Sequence, residues 1–465
     1  MENIAKVWRS STAFLLYAFS FLILITSCSN ELDEALQPAN NGTLQFVVSD
    51  FPMFGEGIQT RAIGTQDEGK TAWENGDQII VTLTSQKYGE QAAALTYDGS
   101  SWSTEASLSY LENETPSVSV IYAPCYEVTE EGTMQLRSGM QPGMTEYLSG
   151  DYEMENGIMT ITFEGAIRTY SRLRIAGLAN QTLTVTTTDF TPAGVNNSSP
   201  ESGEVPQAEG SVTYTLTTDN NGNAFLYGVF AEDATVIVKQ GTVTLTDYTF
   251  KQDTEANTSY ALDATPVIDG TLGGKTEATA AEVETLVQQL KDYVDNGITT
   301  IIVPGSKSAI IEVDGIVLPA VSEAIYRLSK DESYNGKIDL ILPDVTEIVA
   351  MEFYAAFALN SITLPKVTTV GDGAFTGCYY LKKMTFGSVV TSINQSNSYV
   401  FYEVGKEVDG GSCDLVLNCE QLQTEDTYKP DLENNVWFKP SWGGNVTWKS
   451  ITLTHTGECD ECKAQ

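Results

Sequence analysis

Residues 359–381 read Leu359-x-x-Ile362-x-Leu364-Pro365-x-Val367-x-x-Val370-Gly371-x-x-Ala374-Phe375-x-x-Cys378-x-x-Leu381. The same pattern stands upstream at a fixed offset. Leu340-x-Leu342-Pro343-x-Val345 precedes Ile362-x-Leu364-Pro365-x-Val367, and Pro343/Pro365, Ile348/Val370, Phe353/Phe375 and Leu359/Leu381 are each 22 residues apart. Several matches at one offset mark a repeat architecture. Each unit supplies a short strand and a return segment. It cannot bury its apolar side alone, so neighbours must stack into a solenoid. Earlier turns are expected at Ile301-Ile302-Val303-Pro304 and Ile316-x-Leu318-Pro319-x-Val321, later ones at Met384-x-Phe386-Gly387-x-Val389 and Asp414-Leu415-Val416-Leu417. Gly371-Asp372-Gly373 invites a phosphate-loop reading, but it lies inside the repeat and no Gly-Lys-Ser follows it.

The unit closely resembles the BspA-type leucine-rich repeat, whose Ala-Phe-x-x-Cys core is distinctive. The resemblance extends over 298–425 and implies that Cys378 is a core thiol, in keeping with its apolar neighbours.

N-terminal to the repeats, 279–297 is expected to be a capping helix. Thr279 and Glu282 form a capping box, Val283, Leu286, Val287, Leu290, Tyr293 and Val294 recur at helical spacing, and Asn296-Gly297 stops the run. The glycine-rich stretch 266–278 reads as a linker.

From 43 to 265 the period changes to two. Leu44, Phe46 and Val48 alternate, as do Ile79, Val81 and Leu83; Val118, Val120 and Tyr122; Met159, Ile161 and Phe163; Leu183 and Val185; Val212, Tyr214 and Leu216; and Val243 and Leu245. Threonine fills many outward positions. This predicts half-buried antiparallel strands in one or two β-sandwiches, with 192–209 as a long loop. Trp73-x-x-Gly76-Asp77, Tyr97-Asp98-Gly99-x-x-Trp102, Tyr122-Ala123-Pro124 and the segment from Phe163 to Arg174 resemble the signatures of fimbrillin-like proteins. That family often carries a histidine soon after the phenylalanine, where this chain has Glu164-Gly165-Ala166. The resemblance implies two transthyretin-like subdomains, a lipoprotein precursor, cleavage after an arginine, and strand exchange with other fimbrial subunits. Arg61, which follows the first strand, stands where such a cut would fall; read without the family it is an ordinary loop residue.

The start of the chain has two basic residues, Lys6 and Arg9, an apolar run from Thr12 to Ile25, and then Thr26-Ser27-Cys28. These are the parts of a secretory signal, and the run falls short of the roughly 20 residues needed to cross a bilayer. Cysteine directly after the small residues resembles a lipobox, which assigns 1–27 to a signal peptide, lipid attachment to Cys28, and 28–42 to a polar tether. Membrane contact is then through lipid on Cys28, at the outer membrane and on the cell surface.

Composition narrows the function. Acidic residues outnumber basic ones 62 to 25, for a net charge of −37, which repels nucleic acid. The only histidine is His455, so no Ser-His-Asp triad or multi-histidine metal site can be built in the body of the chain. Paired carboxylates remain able to act in glycoside hydrolysis, but 62 acids leave no pair distinguished. No enzyme, metal or cofactor is expected. Besides Cys28 there are Cys125, Cys378, Cys413, Cys419, Cys459 and Cys462. Cys125 and Cys378 read as buried apolar positions, and Cys459-x-x-Cys462 as a local disulfide or free thiols. The end, 426–465, is expected to cap the repeats, with Trp448-x-x-Ile451-x-Leu453 as a closing strand; Trp437, Trp442 and Trp448 either cover the open end or stack a sugar. The expected role is a surface adhesin or accessory fimbrial component that binds a host protein or glycan. The alternative is a capturing lipoprotein that never polymerises.

Overall fold

The computed structural model describes residues 44–52, 69–111, 114–155, 157–163, 168–194, 210–393, 400–409, 413–418 and 448–454. Cys28, Arg61, Trp437, Trp442, Cys419, His455, Cys459 and Cys462 lie outside these residues. The described chain is mainly β, with two helices.

The first sheet has seven strands, in the order Gln45–Val48, Ile158–Thr162, Leu148–Glu155, Ser117–Tyr122, Gln78–Ser85, Gly89–Tyr97 and Trp102–Ser103. Its first and last strands touch, so the sheet curls around one core. Ile79, Val81, Leu83, Met159, Ile161 and Phe163 are fully buried there, as their alternation requires. Two four-stranded sheets follow and share a second core. One joins Phe190–Pro192, Asn223–Phe230, Ser171–Ala176 and Ser259–Asp263; the other joins Ser211–Thr217, Thr182–Thr188, Thr235–Gln240 and Val243–Thr249. Not every pair is antiparallel. Gln45–Val48 runs parallel to Ile158–Thr162, and Ser171–Ala176 runs parallel to Ser259–Asp263. Alternation reports which face is buried but not the direction of the neighbour.

The Trp73 motif is a folded corner. Gly76 adopts a φ of +95°, the left-handed region that glycine enters without a Cβ clash. Asp77 accepts a hydrogen bond from the Glu74 amide at 2.6 Å, and Gly76 N–H donates to Tyr97 O at 2.8 Å. The turn holds the Trp73 ring edge-on to Phe51, Trp102, Tyr122 and Phe163, at centroid distances of 4.8–5.5 Å.

The C-terminal region is built on a six-stranded all-parallel sheet, ordered Thr300–Ile302, Ile338–Ile341, Leu359–Leu364, Lys383–Phe386, Asp414–Asn418 and Ser450–Thr454. Ile301, Leu340, Ile362, Met384, Leu415 and Ile451 form one row across it, turned toward the largest core. A second parallel ladder, Glu347–Ile348, Thr369–Val370 and Ser392–Ile393, lines the return segments. Gly371 is required where consecutive units touch: a Cβ there would lie 2.4 Å from the Ala350 nitrogen. It is a packing glycine.

One expected turn is overturned. Ile316–Pro319 pairs antiparallel with Ile310–Val313 and leads into a helix, Ala320–Lys330, instead of adding a rung. The cause lies just downstream, where Val321, Ala324, Ile325 and Leu328 recur at helical spacing and are all buried. This helix packs on the helix Ala280–Asp295, whose Thr279–Glu282 capping box is present. The stretch 266–278 does not run free of the repeats: Val267 bridges Ile302 and Ile268 is fully buried in their core.

Candidate ligand-binding face

Every second residue of the parallel sheet points away from the core. The outward rows are Thr300, Asp339, Ser361, Lys383, Asp414, Ser450 and Ile302, Ile341, Thr363, Thr385, Val416, Thr452. Asp339 Oδ1 accepts from Ser361 Oγ at 2.6 Å and Asn360 Nδ2 at 2.7 Å, and Asp414 Oδ1 accepts from Ser450 Oγ at 2.7 Å. The carboxylates are therefore tied along the sheet by neutral donors. This makes a mostly polar face, with Ile302, Ile341 and Val416 among its residues, on which both aspartates are held by hydrogen bonds from a neighbouring strand, an arrangement suited to docking a partner.

Beneath it, the return segments carry a column of rings. Phe353 stacks on Phe375 at 5.6 Å and 12°, Phe375 on Phe401 at 6.0 Å and 9°, and Trp448 meets Phe401 edge-on at 5.5 Å. Trp448 is half-buried at the end of this column. Phe401 belongs to a unit the fixed offset hides. Val400-Phe401-x-x-Val404 repeats the spacing of Ala374-Phe375-x-x-Cys378, displaced by 26 residues instead of 22. Ala355, Gly377 and Glu403 share the same left-handed backbone position, with φ of 51°, 75° and 56°. The packing of the column imposes this conformation even on an alanine and a glutamate.

Cys378 is fully buried, and its Sγ donates to Phe353 O at 3.0 Å. Burial pushes its thiol up to about 12, so it carries almost no thiolate and is not a nucleophile. Cys125 and Cys413 are also buried and free, and burial raises both thiols. Among the described residues no group of three or more His, Cys, Asp or Glu could hold a metal ion. No described helix is long and apolar enough to cross a membrane.

Glu352 was not visible as special in the sequence. It occupies the slot filled by Ala374 and Val400 in the next units and is wholly enclosed, accepting from Ser322 Oγ at 3.0 Å and Val349 N at 2.8 Å. Burial raises its carboxyl from 4.5 to about 7. A group held above its unfolded value stabilises the fold most when protonated. Its contribution is complete below about 4.5 and is lost as pH rises through about 7. The Glu352→Gln variant should therefore lack a loss of stability that the native chain suffers between those values, on the order of 3 kcal/mol. Urea midpoints across this range check it, and parallel profiles for the two proteins would exclude Glu352 as the source.

A cleft of about 400 Å³ opens between the first sheet and the sheet containing Asn223–Phe230. Lys70, Tyr122, Glu146, Asp219, Phe225 and Tyr227 line it. Glu146 is buried against Arg168 at its floor, where burial drives its carboxyl upward and Arg168 opposes the rise. Arg172 and Arg174 are buried on the strand Ser171–Ala176, donating to Ser259 Oγ at 3.0 Å and Asn223 Oδ1 at 3.3 Å. Both partners stand on strands paired with this one, so these two arginines brace the sheet that contains them.

This parallel, 22-residue architecture defines a leucine-rich-repeat region. Residues 339–406 match the family model described as the BspA type leucine rich repeat region, in six copies. No curated protein matches the chain.

Proposed function

We propose that the protein is an exported lipoprotein, anchored through Cys28 in the outer membrane and displayed on the cell surface, acting as a non-catalytic adhesin or accessory fimbrial component. In this reading 43–265 is a fimbrillin-like β-sandwich region of two transthyretin-like subdomains. Residues 298–425 form a solenoid that presents the binding surface, with 279–297 and 426–465 closing its ends. The observation that carries the reading is the six-stranded parallel sheet with its mostly polar outer face, on which Asp339 and Asp414 are held by hydrogen bonds. Ligands would be host or microbial proteins or glycans, with Trp437, Trp442 and Trp448 as candidate sugar contacts.

A second reading, a ligand-capturing lipoprotein that never polymerises, has its own support. The segment before Arg61 is tightly engaged: Trp73 Nε1 donates to Ser49 O at 2.8 Å, Phe51 is buried in the aromatic cluster, and Pro52 O accepts from Arg168 at 2.7 Å. Loss of this segment would leave donors and rings unpartnered unless another strand replaced it. One experiment separates the readings. Cells are fed a clickable fatty acid and the protein is treated with an arginine-specific protease. Both readings expect label on the native protein and none on Cys28→Ala. Heat-sensitive ladders that vanish in Arg61→Gln support the fimbrial role, whereas a cleaved monomer supports the capturing role. Unlabelled, unexported native protein refutes both.

A further inference from the structure

One margin of the repeat sheet gathers lysines onto aromatic rings. Lys337 Nζ lies 3.9 Å from the centroid of the Tyr380 ring and donates to Phe357 O at 2.8 Å. Lys330 Nζ lies 5.3 Å from the Phe357 ring and 5.1 Å from the Tyr326 ring. Phe357 in turn stacks on Tyr379 at 5.1 Å and meets Tyr380 edge-on at 6.4 Å. Lys382 is exposed at the same margin, its amide bonded to Asn360 O, and its charge acts on Lys337. Tyr380 remains 38% exposed.

Among the described residues, no ion pair engages Lys330, Lys337 or Lys382. Two acids of this region are already engaged. Glu403 accepts from Tyr379 Oη and pairs with Lys406, and Asp339 accepts from Asn360 and Ser361. Like charges brought together cost free energy, and a chain of net charge −37 has ample acids with which to neutralise them. Leaving them unmatched beside an exposed ring favours a ligand that is both anionic and flat-faced.

We propose that this margin, formed by Lys330, Lys337, Phe357, Tyr380 and Lys382, binds an acidic polysaccharide. A pyranose ring lies against Tyr380, and its carboxylate or sulfate groups engage the lysines. Charge-assisted hydrogen bonds supply strength, and the ring face supplies selection for a sugar over an acidic peptide. The assignment rests on reading the repeat region as the ligand-binding part and names the ligand class.

The test is affinity electrophoresis of the full chain in gels containing heparin, polygalacturonate, neutral dextran or poly-glutamate. Heparin and polygalacturonate separate sulfate from carboxylate recognition. The expected result is retardation by at least one of these two and by neither dextran nor poly-glutamate, with affinity about tenfold weaker in Lys337→Gln/Lys382→Gln. Lys382→Gln alone alters only an exposed side chain and should show a smaller loss in the same direction, which guards against misfolding of the double variant. No retardation by either acidic polysaccharide, equal retardation by poly-glutamate, or indifference to both variants would overturn the assignment. Fatty-acid labelling of Cys28 and adhesion of the same cells are read independently. Displayed, adhesive protein that ignores acidic polysaccharides defeats this ligand alone.

Discussion

Replacing Phe375 with alanine should unfold much of the repeat region under conditions where the native chain is folded. Phe375 is fully buried and stacked on both faces, by Phe353 and by Phe401. Truncating a buried phenylalanine costs roughly 3–5 kcal/mol through lost transfer energy and the cavity left behind. Here the cavity cannot close easily, because the ring is the middle member of a column whose backbone is fixed by ladders on both sides. Stability in stacked repeats is carried by nearest-neighbour interfaces, so losing one ring weakens the units before and after it. Urea denaturation followed by hydrogen exchange should show the loss concentrated at amides such as Phe353, Gly377 and Thr363. The Gln78–Ser85 strand of the first sheet should keep its protection. A midpoint unchanged from the native protein would mean that the column does not hold the units together.

The repeat was legible because identical chemistry recurs at one interval: Phe353 and Phe375 fall in the same slot 22 residues apart. Phe401 escaped because its interval is 26, although Val400-Phe401-x-x-Val404 keeps the internal spacing. Searching for the five-residue core instead of the full period would have found it. Ile316–Pro319 misled for the opposite reason. It matches the strand half of a unit, but its return half is helical, so a local match stood without its structural partner. The helix cap at Thr279 was readable because capping is a contact between residues three apart. Glu352 and the lysine–tyrosine margin were not readable. Lys330, Lys337, Phe357 and Lys382 become neighbours only when the units stack, and Glu352 is special only because Ser322 arrives from another element. Sequence distance hides contacts that cross the repeat.

The same kind of contact governs the first sheet, where Arg168→Met should cost about 3–5 kcal/mol at neutral pH. The Arg168 and Glu146 side chains are only 1% and 8% exposed, and Arg168 Nε donates to Glu146 Oε1. Methionine keeps much of the length but leaves a buried carboxylate without its cation. Burial already raises the Glu146 carboxyl, and removing Arg168 takes away the first of the influences that hold it down. A carboxyl held above its unfolded value contributes stability when protonated and loses it as pH rises. The deficit of the variant should therefore be largest at neutral pH and shrink toward acid pH. Adding Glu146→Gln should recover most of the loss, because a neutral amide tolerates the site. Equilibrium unfolding at several pH values checks all three expectations. A pH-independent deficit, or one below about 1 kcal/mol, would show that the pair is not a buried charge contact in solution. Hydrogen exchange adds a structural readout. Arg168 also donates to Pro52 O, so the variant should release the Gln45–Val48 strand first, with faster exchange at Ser49 and Phe163, whose amides bond across that seam. A segment held from outside by Arg168 and Trp73 can be loosened without destroying the strands Gln78–Ser85 and Ser117–Tyr122. The fimbrial reading of Arg61 depends on that property.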